Sequence, residues 1–141
     1  MVLLLAGCGG AARIDAGETS LECVPFARAE SGITLYGDAA DWWDQAAGRY
    51  DRGSAPSPGA VLVFSRSSRL PHGHVSVVTG VAGPRDITVD QANWVRGRIG
   101  RAEAVRDMSD GNDWSTVRVW WAPSGTLGAT AYAAQGFVGP R

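Results

Sequence analysis

Ala60-Val-Leu-Val-Phe64 and His74-Val-Ser-Val-Val-Thr79 are the two stretches of sequence that decide the fold. Both are short apolar runs rich in β-branched residues, and such runs predict buried strands. A polar connection from Ser65 to Gly73 separates them, and Gly80 to Asp86 predicts a turn after the second. Two further segments have strand character, and they are Ile87-Thr-Val-Asp-Gln-Ala-Asn-Trp94 and Thr116-Val-Arg-Val-Trp-Trp121. The second half of the chain is therefore predicted to form a sheet.

The chain before these strands has a helical pattern. Leu21 to about Gly32 predicts a first helix that ends at the glycine, and Gly37 to Gly48 predicts a second helix that Asp38 would cap. Tyr50 to Gly59 has the composition of a loop. Two helices followed by a run of strands predict an α+β domain, in which N-terminal helices pack on an antiparallel sheet.

The composition is that of one compact domain. The chain has 141 residues, of which 45% are hydrophobic and 19% charged, and these values exclude intrinsic disorder and a coiled coil. The formal net charge is −1, so the basic surplus typical of nucleic-acid-binding proteins is lacking, and no nucleic-acid partner is expected. The two cysteines, Cys8 and Cys23, are too few for a disulfide scaffold or a metal site of paired cysteines. Separate roles are expected for them.

Cys8 lies in a segment typical of an export signal. Leu5-Ala-Gly-Cys8 follows an apolar start and resembles a bacterial lipobox, in which the cysteine is acylated and the signal is cut just before it. The apolar stretch is short and lacks a positively charged region, which a start codon upstream of Met1 would explain. Residues 1–20 are therefore expected to be a lipoprotein-type signal and flexible tether. The protein would be an exported, periplasmic or cell-envelope lipoprotein that meets the membrane only through Cys8.

Cys23 is the expected nucleophile. It falls at the start of the first predicted helix, where unpaired N–H groups and the helix dipole favour thiolate over thiol. A cysteine nucleophile needs a base, and the chain offers only His72 and His74. His74 begins an apolar strand whose backbone holds the side chain rigidly, whereas His72 lies in a turn. His74 is therefore the expected general base.

A third residue should orient the imidazole of His74. The strand from Ile87 to Trp94 is the expected hairpin neighbour, and strand alternation puts Gln91 and Asn93 on its core face. Asp90 falls on the other face. Gln91 with Asn93 is the preferred assignment, and Asp90 is the alternative, because a bulge would shift the strand by one residue.

Five segments, in this order, resemble the CHAP family of cysteine, histidine-dependent amidohydrolases and peptidases. They are Glu22-Cys-Val-Pro-Phe-Ala-Arg28, Gly37-Asp-Ala with Trp42-Trp43, Pro58-Gly-Ala-Val-Leu-Val-Phe64, Gly73-His-Val-Ser-Val-Val78 and Ala92-Asn-Trp94. The resemblance runs from about Glu18 to Trp121. It implies a papain-like CHAP fold, with a catalytic domain over residues 21–122. Residues 123–141, rich in Gly and Ala, are predicted to be an irregular extension that packs on this domain.

The resemblance also implies roles for individual residues. The family's nucleophile falls on Cys23 and its base on His74. In many members an acidic residue two positions before an asparagine orients the histidine, and these positions are Gln91 and Asn93 here. Gln91 is a departure, because an amide can orient an imidazolium but cannot balance its charge. The backbone N–H of Cys23 would help to hold the oxyanion, and no cofactor or metal is expected.

The expected function is hydrolysis of an amide bond in peptidoglycan, by an N-acetylmuramoyl-L-alanine amidase or a peptide endopeptidase. Trp43 and Trp94 are expected to line the substrate groove, with packing on the sheet as the alternative for Trp94. Two other functions stay open. One is a non-catalytic peptidoglycan-binding or scaffolding module on the same fold, which Gln91 favours. The other is a secreted effector amidase, which a lipid anchor would disfavour.

Overall fold

The computed structural model describes residues 22–140, and most of the residues in helices and strands belong to one antiparallel sheet. The helical elements are α1 (Cys23–Ser31), a 3₁₀ turn (Ala39–Asp41) and α2 (Trp42–Gln45). The strands are β1 (Asp51–Gly53), β2 (Val61–Phe64), β3 (His74–Gly83), β4 (Asp86–Ala92), β5 (Ile99–Asp107), β6 (Thr116–Trp121), β7 (Thr126–Leu127) and β8 (Tyr132–Gly139).

The sheet closes on itself. Its strands are hydrogen-bonded in the order β1-β8-β2-β3-β4-β5-β6-β7, and β6 also pairs with β8. Strands β8, β2, β3, β4, β5 and β6 therefore form a ring of antiparallel neighbours. The mixture of helix and antiparallel sheet agrees with the α+β prediction. The proportions of helix and strand differ from the prediction, because strand residues of a barrel-like sheet far outnumber helical residues in the described chain.

Two apolar clusters lie on opposite faces of this sheet, and β2 contributes to both. Leu62 and Phe64 belong to the first cluster, whereas Val61 and Val63 belong to the second, as expected for successive side chains of a strand. The first cluster collects side chains from all six strands of the ring. The second joins the helical elements to β2 and β3. This packing brings Cys23, the first residue of α1, to the sheet.

The C-terminal segment corrects the sequence prediction most strongly. Residues 123–141 are predicted to be irregular, and this is wrong because β7 and β8 lie there, with β8 completing the ring. The strand is hidden because its residues are small where β-branched residues would signal a strand. At Gly136 a small residue is required, since a Cβ would lie 2.6 Å from the Gly53 carbonyl oxygen and 2.8 Å from the Trp43 ring.

Other differences concern the lengths of elements. No strand is predicted over β5, and β3 continues to Gly83 through the start of the predicted turn. α1 does end at Gly32, whose φ of +77° is left-handed. The predicted second helix is reduced to the 3₁₀ turn and α2. Asp38 makes no capping hydrogen bond there; its carboxylate accepts one from Arg66 instead.

Candidate functional site

Cys23 lies between the start of α1 and the start of β3. The backbone amides of Val75, Val24 and Cys23 itself lie close enough to the thiol to lower its pKa. Burial nevertheless raises the pKa of the thiol above its usual value, and the nearby Glu22 carboxylate adds to the increase. The N–H groups at the helix start thus act on the thiol in the expected direction, but desolvation by burial is the larger effect and keeps the pKa raised.

His74 is the first residue of β3 and is 4% exposed. Its ring packs edge-on against Phe64, with centroids 5.3 Å apart, and at a tilt against Trp94, with centroids 4.9 Å apart. Burial lowers the pKa of His74 to about 4, although a hydrogen bond to Gln91 acts in the opposite direction. At neutral pH the site therefore holds a neutral imidazole and a protonated thiol.

Gln91 is the residue that contacts the His74 ring with a polar atom. Its Oε1 lies 2.9 Å from His74 Nε2, and its side chain is 1% exposed. Because a carbonyl oxygen only accepts, this contact requires the proton on Nε2 and leaves Nδ1 of the neutral ring with a lone pair. On the other side, Gln91 Nε2 donates to Glu103 Oε1 at 3.0 Å.

Asn93 does not join Gln91 at the imidazole. β4 ends at Ala92, and Asn93 has a left-handed φ of +65°, so strand alternation no longer determines where its side chain points. Its Oδ1 accepts a hydrogen bond from the Gly97 backbone N–H at 2.7 Å, which stabilises the turn after β4. The expectation that it shares the core face with Gln91 is wrong.

Asp90, the alternative orienting residue, has other partners. Its carboxylate accepts hydrogen bonds from the Ala102 backbone N–H at 2.8 Å and from Arg101 at 3.0 Å. Arg101 also pairs with Glu30 of α1 at 2.7 Å. Partial desolvation and the adjacent Asp90 carboxylate raise the pKa of Glu30 to about 7. Asp90 thus ties α1 to the β4–β5 pair and does not contact His74.

One cavity, of about 530 Å3, brings the central residues together. It is lined by Cys23, Arg69, Leu70, Pro71, His72, Gly73, His74, Asn93, Trp94, Trp121 and Tyr132. Trp94 both lines this cavity and packs on the first apolar cluster. Trp43 is not part of the lining; it packs on the second cluster, with Arg52 stacked over its ring at 4.9 Å. The expected groove role of Trp43 thus does not fit this cavity.

Several lining residues were not predicted as part of the site. Tyr132 comes from β8, the strand that the sequence hides, and its ring lies 4.8 Å from that of Trp94. Arg69 and Leu70 come from the loop before β3, whose sequence has no distinguishing pattern. The lining residues include the cationic Arg69 but no Asp or Glu. Within residues 22–140, no group of three or more His, Cys, Asp or Glu side chains is placed to hold a metal ion.

The protein belongs to the CHAP family. The model of the CHAP domain matches residues 14–93, which include Cys23, His74 and Gln91. The match spans more than half of the chain and stops before β5, so Glu103 and Tyr132 lie outside it.

A solved structure shares the fold. An N-acetylmuramoyl-L-alanine amidase from Staphylococcus aureus is 17% identical with a TM-score of 0.51, over 86% of this chain. The match covers 32% of that chain, so the present protein spans about a third of its length. A protein described as Ly7917 is 16% identical with a TM-score of 0.40, and 86% of each chain is covered. At 17% identity the likeness to the amidase is one of fold. No curated protein matches the sequence.

Cys8, the predicted lipidation site, lies outside the described residues. In the described part of the chain, none of the helices has the length and apolar character needed to span a bilayer.

Proposed function

We propose that the protein is a cysteine hydrolase that cleaves an amide bond in the peptide part of peptidoglycan. The observation that carries the proposal is that Cys23, at the start of α1, and His74, at the start of β3, line one cavity. Membership of the CHAP family supports the reaction class. The likeness in fold to an N-acetylmuramoyl-L-alanine amidase makes the sugar–peptide amide the first bond to test, with a bond inside the peptide as the second.

The reaction would proceed in two stages. The Cys23 thiol passes its proton to Nδ1 of His74 as the sulfur attacks the amide carbonyl, and the imidazolium then protonates the leaving amine. The C–N bond breaks and a thioester remains on Cys23. Water, deprotonated by His74, attacks the thioester and releases the acid and the free thiol. The tautomer that Gln91 holds is the one this sequence needs, because Nδ1 begins unprotonated.

The oxyanion would form at the start of α1. The N–H groups of Cys23 and Val24 lie in the first turn of α1, where N–H groups lack helical partners, and they lower the pKa of the thiol, so these two donors are available where negative charge develops. Because the resting thiol and imidazole are both neutral, charges separate only during attack. The two N–H donors then stabilise the negative charge that develops.

The cavity favours an anionic peptide. Arg69 and His72 stand on its rim and no carboxylate lines it. Peptidoglycan stem peptides carry free carboxylates, and a guanidinium binds a carboxylate through two parallel hydrogen bonds. The aromatic rings of Trp121 and Tyr132 would cover the apolar parts of the substrate, and Trp121 is 40% exposed.

Digestion of purified peptidoglycan would test the proposal. The full chain, with Cys8→Ser to leave one thiol, is incubated with the wall material, and released fragments are identified by mass spectrometry. The comparison is with the same protein carrying Cys23→Ala. Fragments present only with the intact thiol support the proposal, and their masses identify the bond. A folded protein that releases nothing contradicts it, and co-sedimentation with the wall would then support the binding module, which the amide at position 91 favours.

Attachment to the cell envelope through an acylated Cys8 is a separate proposal that rests on the Leu5–Cys8 motif. Expression of the full coding region in a bacterial host with a radioactive fatty acid tests it. Label in the wild type and none in Cys8→Ser, with the protein moving from the membrane to the soluble fraction, is the expected result. Unlabelled wild-type protein contradicts it.

A further inference from the structure

We propose that Glu103 is a positioning residue for the cavity, acting through Gln91 to hold His74 in one tautomer and to place a negative charge behind it. The chain of contacts is continuous: His74 Nε2 to Gln91 Oε1 at 2.9 Å, then Gln91 Nε2 to Glu103 Oε1 at 3.0 Å. The inference deepens the proposed hydrolase function and rests on it for its catalytic consequence.

Glu103 determines the orientation of the Gln91 amide. An amide presents either an oxygen or an NH2 group to a neighbour, so Gln91 alone would accept either tautomer of His74. A carboxylate only accepts hydrogen bonds, so its presence on one side of the amide directs the NH2 group there. The oxygen must then face Nε2. Gln91 is 1% exposed, so it has little access to water as an alternative partner.

The backbone of β5 is shaped to bring Glu103 to this amide. Val89 pairs with Glu103 and Gln91 pairs with Gly100, so one residue of β4 faces two of β5, and the ladder contains a bulge. Ala102, in the bulge, has a left-handed φ of +51°. The Asp90 carboxylate accepts the Ala102 N–H at 2.8 Å and so stabilises this turn of the backbone.

Gly100 leaves the space that the carboxylate occupies. A Cβ at this position would overlap the Glu103 carboxyl group, and Gly100 is the residue directly opposite Gln91. A side chain there would block the path from Glu103 to the amide. The bulge and the missing side chain therefore serve the same contact.

The Glu103 carboxylate bonds the Gln91 amide and has no cationic partner among residues 22–140. Across residues 22–140 no Lys, Arg or His nitrogen lies within 4.0 Å of its carboxylate, since Arg101 pairs with Asp90 and Glu30. The carboxylate that Gln91 itself lacks is thus supplied one hydrogen bond further away. It would stabilise the imidazolium that forms during attack.

Two measurements test the relay of hydrogen bonds from Glu103 through Gln91 to His74. The first is the tautomer of His74, read from the nitrogen chemical shifts of the 15N-labelled full chain, with His72→Gln used to assign the signals. The second is kcat and KM for peptidoglycan fragment release. The variants are Glu103→Gln, Glu103→Ala and the double change Gln91→Glu with Glu103→Gln. Asp86→Asn is the matched control, because it removes a carboxylate from the same β4–β5 pair, where the Asp86 side chain bonds the exposed Arg106 at 2.8 Å.

We expect Glu103→Gln to introduce the Nδ1-protonated tautomer and to lower kcat by about 10- to 100-fold with little change in KM. The double change should restore the Nε2 tautomer and most of kcat, because a carboxylate at position 91 accepts from Nε2 directly. Asp86→Asn should leave both readouts unchanged.

The relay is overturned if Glu103→Gln and Glu103→Ala, both folded by circular dichroism, keep the wild-type tautomer and the kcat of the Asp86→Asn control. Should Glu103→Ala fail to fold, the isosteric Glu103→Gln and the double change decide. A wild-type protein with no hydrolase activity would contradict the proposed function alone, because the tautomer is measured without turnover. Loss of the Nε2 tautomer in Glu103→Gln would then still support the positioning role.

Discussion

Two histidines, two positions apart in sequence, line the same cavity in opposite surroundings. The side chain of His72 is 76% exposed, and its Nδ1 lies 3.1 Å from an Asp38 carboxylate oxygen. His74 is buried between aromatic rings, and its polar partner is the amide of Gln91. The histidine that we propose as the base is therefore the one without a carboxylate beside it.

The difference between the two histidines follows from the other contacts of their partners, Asp38 and Gln91. Asp38 also binds Arg66 at 2.9 Å, so its charge is already shared, and water screens the exposed group. Gln91 is held by Glu103 and by burial, so it offers His74 one fixed acceptor. Burial and a fixed partner leave His74, the base in the proposed mechanism, with one available nitrogen, whereas the His72 side chain is solvated.

Replacing each histidine in turn gives the largest expected contrast. His74→Gln should lower kcat/KM for peptidoglycan cleavage by about 10²- to 10⁴-fold, the usual contribution of a positioned base. His72→Gln should change it by less than about threefold, because exposed ion pairs contribute little. Fragment release at matched protein concentration measures both. Equal losses in the two variants would remove the distinction between the buried and the exposed histidine.

The stability of the protein should report the burial of His74. Its pKa is about 4 in the folded protein against an ordinary value of 6.5, so the unfolded chain binds more protons between these values. The stabilisation is complete above pH 6.5 and is lost as the pH falls through 4, a change of about 3 kcal/mol. Urea unfolding over this range, as the difference between wild type and His74→Gln, measures it.

Taking that difference matters because Glu30 titrates in the same window with the opposite sign. Its pKa is raised to about 7, so its contribution is present at low pH and is lost as the pH rises through 7. Glu30 is unchanged in both proteins and cancels. A pH dependence that disappears in His72→Gln rather than in His74→Gln would contradict the assignment of the buried group.

Alkylation of Cys23 should show a neutral pair rather than an ion pair. Because burial raises the thiol pKa, its reaction with iodoacetamide should be slow at neutral pH and should rise only at alkaline pH, at rates about tenfold or more below a free thiol. Peptide mass spectrometry of the Cys8→Ser protein measures the rate. A plateau below pH 7 that His74→Gln abolishes would indicate a thiolate–imidazolium pair instead.

Arg69 should give the smallest effect, confined to binding. Arg69→Ala should raise KM about three- to tenfold for acidic peptide fragments and leave kcat unchanged, as expected for loss of one charge-assisted contact. Arg96→Ala is the control, because Arg96 is exposed and does not line the cavity. A fall in kcat without a change in KM would place Arg69 in the chemistry rather than on the rim.

Local sequence pattern predicts several elements because their signals need no distant partner. The apolar runs of β2 and β6 and the glycine end of α1 are where the pattern indicates. β8 is invisible in this way, because its small residues suit a strand only when β2, β6 and Trp43 lie against them. Asn93 shows the same limit, since alternation fails once the backbone turns left-handed.

The sequence by itself determined the CHAP resemblance, the α+β class and the residue types available for chemistry, Cys23 and His74 among them, since these depend on composition and short-range spacing. Only the tertiary structure decided that Gln91 rather than Asp90 meets the imidazole and that Glu103 meets Gln91. It also decided that the resting thiol and imidazole are neutral. Register, bulges and desolvation produce these outcomes, and each arises from segments that are distant in sequence and adjacent only in the folded chain.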